Sequence, residues 1–291
     1  MAKNNQKAFL NYIEVLKPRE TSLIILIGVC SAVIAGAGYP PIDLLIISLF
    51  AIGLGAAGAN GLTNYLDRKV DAKMRRTCDR VLPSKLIKSP WRVLPLISCL
   101  LIIALSLAWL LNPLCFLFGV IGTIASAAWR KTITCTFFGI VASCAPVLIG
   151  WFAISPAFDI QILLLCFLIA FWIPLHVWTV MIANREDYLS AGLNFFPLSW
   201  QTKHVVRVLF VLSFLLYLVS LLIYVSGGFG LPYLVVANVL GILMIYANAR
   251  LLFSSRSKAA WRVYKLSAFP YLGVIFATMC LDIWLGGCLP V

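Results

Sequence analysis

LLIISLFAIGLGAAGANGLTNYLDRKVDAKMRRTCDR, residues 44–80, changes character part-way along. Residues 44–59 carry no charge, whereas 64–80 carry six Lys and Arg side chains and three Asp. An apolar run of this length that ends in a charged tract is the pattern of a helix leaving a bilayer. Similar runs fill the rest of the chain. The 291 residues are 62% hydrophobic and only 11% charged, with a mean hydropathy of +1.00. A soluble globule does not hide that much apolar side chain.

Nine apolar windows are expected to be membrane-spanning helices: roughly 22–40, 43–64, 92–111, 113–129, 133–153, 161–183, 206–225, 231–249 and 266–286. None shows the short alternating segments of a β-barrel. The fold class expected is an all-α membrane protein, nine helices around a central cavity, forming a single domain over 1–291. With the N-terminus cytoplasmic, residues 1–21, 65–91, 130–132, 184–205 and 250–265 share one side and, with Arg92 and Arg207 at helix ends, hold all 23 Lys and Arg. The other side receives Asp43, Asp159 and Asp282. This is the positive-inside asymmetry, so the net charge of +13 reflects topology and attraction to anionic lipid heads or substrates, not nucleic acid. The N-terminal MAKNNQKAFLNYIEVLKPRE lacks the apolar core of a cleaved signal and the Arg-rich character of an organelle presequence, which favours a prokaryotic plasma membrane. Nine cysteines form no CxxC pair and read as small buried hydrophobes. The basic, amphipathic 250–265 segment reads as a surface anchor.

If NYLDRKVDAK continues the second helix, Asn60, Asn64, Asp67 and Asp71 share one face, three or four residues apart. Polar groups at that depth are costly and face a cavity. Two like charges on one face repel unless a cation lies between them. Hard oxygen ligands in small number suit Mg²⁺, which keeps waters and bridges to phosphate, and Arg68, Arg76 and Arg80 suit the phosphate itself. Spacing alone leaves open a solvated charged loop that only fixes topology. A second tract, FWIPLHVWTVMIANREDYLSAG (171–192), ends the sixth window. It carries Pro174, a potential kink, His176 inside the span, and Glu186, Asp187 and Tyr188 at the same rim. Two acidic rims, near 65–91 and 184–205, can then close over one diphosphate.

These residues resemble the UbiA-type intramembrane prenyltransferases, and within them the haem-modifying members, over nearly the whole chain. The first rim matches their pattern at Asn64, Asp67, Arg68, Asp71, Met74, Arg76, Thr77, Arg80 and Leu82; the second at Pro174, His176, Asp187, Tyr188, Ala191, Gly192 and Pro197. RKT at 130–132, Gly139, Pro146 and Gly150-Trp151 also match, as does LKPRE at 16–20. Cys135 stands where the family has an asparagine, and Ala183 lies four before Asp187, so the quinone-type D-x-x-x-D is absent.

The resemblance implies that Asp67 and Asp71, helped by Asn64, hold Mg²⁺ against farnesyl diphosphate, with Asp187 as a further catalytic carboxylate. Arg68, Arg76, Arg80, Arg130 and Lys131 add charge-assisted bonds to the diphosphate. It implies haem B as acceptor, near His176, Trp178 and Tyr188, with Trp151, Trp172 and Trp178 sheltering an allylic cation, and a downstream haem-using enzyme as recipient of the product. Competing readings are a member acting on a quinone precursor or a lipid glycerol phosphate, and an ion-coupled transporter. Clustered rim charges and the absence of a convincing internal repeat count against the transporter.

Overall fold

The computed structural model describes residues 2–128, 132, 134–254 and 256–286, with side chains from Gln6 onward. It is helical: α1 Ala2–Val15, α2 Pro18–Ala35, α3 Ile42–Asp71, α4 Leu94–Leu111, α5 Pro113–Ala127, α6 Cys135–Phe152, α7 Ile160–Ala183, α8 Arg185–Ser190, α9 Thr202–Gly227, α10 Leu231–Ser254, α11 Ser257–Ser267 and α12 Phe269–Gly286. Each of the nine expected apolar windows falls on one of these helices. Eight stretches of the described residues are long and apolar enough to cross a membrane; the ninth window, α5, is apolar but has only 15 residues. That is short of the roughly 20 a straight crossing needs. The chain is a multi-pass membrane protein.

Sequence-adjacent helices pack as neighbours, from α2 through α3, α4, α5, α6, α7, α9 and α10 to α12, and α12 returns to α2. The helices therefore close a ring, crossed by an α2–α6 contact. Glycine makes that crossing possible: a Cβ on Gly150 would stand 1.9 Å from the Gly28 carbonyl oxygen. Close backbone approach at small residues is how membrane helices gain contact without a hydrophobic drive.

Local chemistry fixes the ends. Asn112 accepts the Leu114 N–H and caps α5; Asp159 accepts the N–H groups of Gln161 and Ile162 and caps α7. Buried Asp282 accepts the N–H of Gly230 and, at 3.3 Å, that of Tyr233, closing the start of α10. These carboxylates, with Asp43, mark the end of the bundle opposite the basic rim. The expected surface anchor at 250–265 is divided between the end of α10 and α11. Helix α11 packs on α7, α10 and α12 through Ala260 and Val263, both fully buried, and presents Lys258, Arg262 and Lys265 outward.

Candidate active site

Helix α3 runs past the apolar span, and its last turns place Asp67 and Asp71 at the rim, 7% and 2% exposed. The chain then folds tightly back on itself. The Thr77 hydroxyl donates to the Asp71 carbonyl at 2.9 Å, and Arg80 Nη1 lies 3.0 Å from Asp71 Oδ2. Met74 is wholly buried, while Val81, Leu82 and Ile87 pack with Val15, Val93 and Ile97. The segment after α3 is thus anchored by apolar side chains at both ends, which makes it a pedestal for Arg75, Arg76 and Arg80.

The second rim meets the first directly. Asp187, on α8, accepts the Arg75 N–H on Oδ1 at 2.6 Å and the Arg76 N–H on Oδ2 at 3.2 Å. Arg76 Nη2 reaches the Tyr188 hydroxyl at 3.5 Å. Tyr188 is buried, and burial pushes its phenol above the ordinary range, opposed by the Arg76 charge. The tracts expected to converge are 111 and 112 residues apart in sequence and hydrogen-bonded in space.

A cavity of roughly 300 Å³ lies among α2 to α7, at the small end of ligand sites; its lining reaches Thr63, one turn before Asp67, and none of Asp67, Asp71, Arg76 and Asp187 is part of that lining. Lys17, Asn60, Thr63 and Cys135 line its rim end. Lys17 takes a left-handed conformation (φ 50°) just before Pro18 at the start of α2; its Nζ lies 3.3 Å from the Thr63 hydroxyl. Asn60 Nδ2 donates to the Thr21 hydroxyl at 3.0 Å. A second cavity of roughly 230 Å³ abuts it, lined by Lys17, Arg19, Asn64 and Arg80 among others. Lys17 borders both. Sequence reading matched Lys17 within LKPRE but gave it no place in the site, and passed over Thr63; the signal for the second was a threonine three residues after Asn60.

Other expected residues sit elsewhere. Asn64 Nδ2 donates to the Val15 carbonyl at 2.6 Å, tying α3 to α1. Arg68 folds back onto its own helix, with Nη1 on the Tyr65 carbonyl and its guanidinium 4.0 Å from the Tyr65 ring centroid. His176 is stacked between Trp172 (4.8 Å) and Tyr264 (4.7 Å), with Nδ1 3.2 Å from the Ser267 hydroxyl. Trp178 donates to Thr136 at 2.9 Å, Trp151 to Ala157, and Trp172 to the Ser267 carbonyl. None of these three tryptophans is among the residues lining the first cavity. Each indole N–H finds a partner at a helix contact or turn, which is what burial demands of it. The three expected tryptophans are therefore not among the residues that wall the cavity; aliphatic side chains such as Leu105 and Ile149, with glycine, alanine and short polar residues, are. Arg130 and Lys131 lie outside the described residues.

Two buried carboxylates one turn apart suit Mg²⁺, whose remaining ligands are waters and phosphate oxygens. Among the described residues no group of three or more His, Cys, Asp or Glu forms an all-protein metal site. The model of the UbiA prenyltransferase family matches residues 23–271. The chain belongs to that family. Among its relatives it is 33% identical, over 94% of its length and 88% of theirs, to protoheme IX farnesyltransferase of Desulforudis audaxviator. It is 34% identical, over 93% and 94%, to protoheme IX farnesyltransferase 1 of Cenarchaeum symbiosum. Solved structures share the fold. A digeranylgeranylglyceryl phosphate synthase superposes with a TM-score of 0.76 at 20% identity over 96% of this chain and 98% of the other. A UbiA homologue of Archaeoglobus fulgidus bound to DMAPP and Mg²⁺ superposes with a TM-score of 0.63 at 15% identity over 92% and 99%.

Proposed function

We propose that this prenyltransferase moves the farnesyl group of farnesyl diphosphate to a vinyl group of haem B, giving haem O, with Mg²⁺ as the metal. One observation carries the site: two acidic rims are joined by Asp187, and an apolar cavity reaches Thr63, one turn before Asp67, so a charged head and an apolar tail have separate places. The names carried by relatives at 33% and 34% identity support the donor and acceptor. The bound Mg²⁺ of the Archaeoglobus fulgidus homologue supports the metal.

Asp67 and Asp71 would hold Mg²⁺, which supplies Lewis-acid neutralisation of the leaving diphosphate, worth several kcal/mol. Arg76 and Arg80 stand on the pedestal beside them and receive the diphosphate by charge-assisted hydrogen bonds; Arg130 and Lys131 complete the cationic set. Arg68, held by Tyr65, adds charge nearby. The C1–O bond of the donor breaks and the diphosphate leaves with the electron pair. The vinyl terminus of the acceptor attacks the allylic cation, forming one carbon–carbon bond. Water adds to the resulting cation beside the porphyrin ring and loses a proton, which leaves the hydroxyethylfarnesyl group. The apolar walls keep water from the first cation. Asn64 supports the metal-bearing turn through Val15. His176, Trp178 and Tyr188 border the acceptor's approach from α7 and α8.

The chain 1–291 works as one unit because the ring of helices closes from α12 back to α2. Its N-terminus and both rims face the cytoplasm of a prokaryotic cell, and the product passes to a haem-using enzyme. Incubating membranes that contain the protein with Mg²⁺, farnesyl diphosphate and protohaem tests this directly. Pigment mass analysis should show the hydroxyethylfarnesyl adduct; adducts on a quinone precursor or glycerol phosphate, and none on haem, would overturn it.

A further inference from the structure

The first cavity has a depth and a floor. Along α3 its lining runs from Thr63 to Ala51, twelve residues or about 18 Å of helix. Along α6 it runs from Cys135 to Ile149, fourteen residues or about 21 Å. At the deep end three helices meet. A Cβ added to Gly119 of α5 would stand 3.0 Å from Leu105 Cδ2 of α4 and 3.8 Å from Ile149 Cδ1 of α6. Beyond that level side chains of α5 and α6 pack together. The Cys115 thiol donates to the Ile149 carbonyl, and the Phe118 and Phe152 rings stack 5.5 Å apart. Cys115 is 0% and Phe152 1% exposed.

An extended carbon chain advances about 1.2 Å per bond, the figure behind the 3.3–3.6 Å of an extended residue, so three isoprene units span about 14 Å and each further unit adds about 5 Å. With its head at Asp67 and Asp71, a fifteen-carbon chain ends short of the floor and a twenty-carbon chain meets it. We propose that Leu105 and Ile149, closed against Gly119, set the upper limit of the prenyl chain: a twenty-carbon tail presses on the two branched side chains, and a fifteen-carbon tail clears them. This rests on the prenyl-transfer reading of the same site.

The test compares geranyl, farnesyl and geranylgeranyl diphosphates, ten, fifteen and twenty carbons long, on purified protein with Mg²⁺ and haem B. Thermal stabilisation by their unreactive thiodiphosphate analogues gives a second readout that needs no acceptor. Leu105→Ala and Ile149→Ala should raise the twenty-to-fifteen ratio by at least about tenfold, since one misfitted methylene alone is worth 10–200-fold. Gly119→Val, whose side chain would push Leu105 aside into the cavity, should lower the twenty-to-fifteen ratio by a similar factor. Ratios within twofold of the unaltered protein in the analogue assay, for the variants that fold, overturn the floor. Length-dependent stabilisation that shifts as expected, with no transfer to haem by the unaltered protein, keeps the floor and overturns the acceptor instead.

Discussion

Asp71 and Asp187 stand at the same rim of the same bundle, and their carboxylates are used in opposite ways. Asp71 is 2% exposed and faces a guanidinium, Arg80 Nη1 at 3.0 Å. Asp187 is half-buried and occupied by two backbone N–H groups, those of Arg75 and Arg76. The first is a charge held against a cation, at the position proposed for the metal. The second is a bracket: it fixes the main chain from which Arg75 and Arg76 project, and so aims those side chains. The family resemblance gives Asp71 to the metal and Asp187 only as a further catalytic carboxylate. The geometry separates a carboxylate paired with a side-chain cation from one that holds main chain.

The largest effect that can break this contrast is at Asp71. Asp71→Asn keeps the shape and removes the charge, so transfer should fall by about 10²–10³-fold, the loss seen when one preorganised electrostatic contact is removed. The Mg²⁺ concentration for half-maximal rate should rise. Arg80 is 37% exposed at its side chain, so water screens the cation left behind and the variant should remain folded. Rates within threefold of the unaltered protein, measured across a Mg²⁺ titration, would remove Asp71 from the metal site.

A smaller effect of a different kind is expected at Asp187. Asp187→Asn retains one acceptor oxygen and turns an NH₂ group toward the other backbone N–H. Losing one such bond costs on the order of 1 kcal/mol, or about five- to tenfold in KM for farnesyl diphosphate. The Mg²⁺ dependence should not move, and amide exchange at Arg75 and Arg76 should quicken. If Mg²⁺ half-saturation shifts as far as in Asp71→Asn, Asp187 is itself a metal ligand and the contrast fails. His176→Ala sharpens the same question on α7. The imidazole is sandwiched by Trp172 and Tyr264, so a packing role predicts equal loss with haem and with farnesyl diphosphate, and an acceptor role predicts a selective rise in KM for haem.

What was legible in the sequence followed from local periodicity. Asp67 and Asp71 share a face because they are four residues apart on a helix, and the positions of the helices follow from runs of apolar residues. What was not legible depends on contacts across the chain. His176 meets Ser267, 91 positions away, and Asp187 meets Arg75, 112 away; no spacing rule encodes either partner. The cavity is a subtler case. Gly55, Gly119 and Gly122 line it, while Gly28 and Gly150 bring two backbones into contact. Small residues in a membrane helix serve a hollow or a close crossing equally well, and only the neighbour's identity decides. The tryptophans are a related case: Trp151, Trp172 and Trp178 were expected around a cation, and which group each indole N–H reaches is set by partners that residue type alone does not name.

The smallest effect separates hydrogen bonding from packing at the bracket's edge. Tyr188 touches Arg76 at 3.5 Å, a weak contact, and burial raises its phenol above 10. Burial therefore favours the protonated phenol, so no step of the pH–rate profile near neutrality is expected to belong to it. A raised folded value means that whatever stability Tyr188 contributes is complete below the unfolded pKa and is lost only as pH climbs beyond it. Tyr188→Phe keeps the buried ring and removes the hydroxyl, so KM for farnesyl diphosphate should rise no more than about threefold, since a net hydrogen bond is worth about 0.5–1.5 kcal/mol. The variant's profile between pH 6 and 9 should overlay that of the unaltered protein, with any difference confined to alkaline denaturation. A lost limb inside that window would mean that Tyr188 exchanges protons with substrate, which would place α8 in the chemistry and not merely around it.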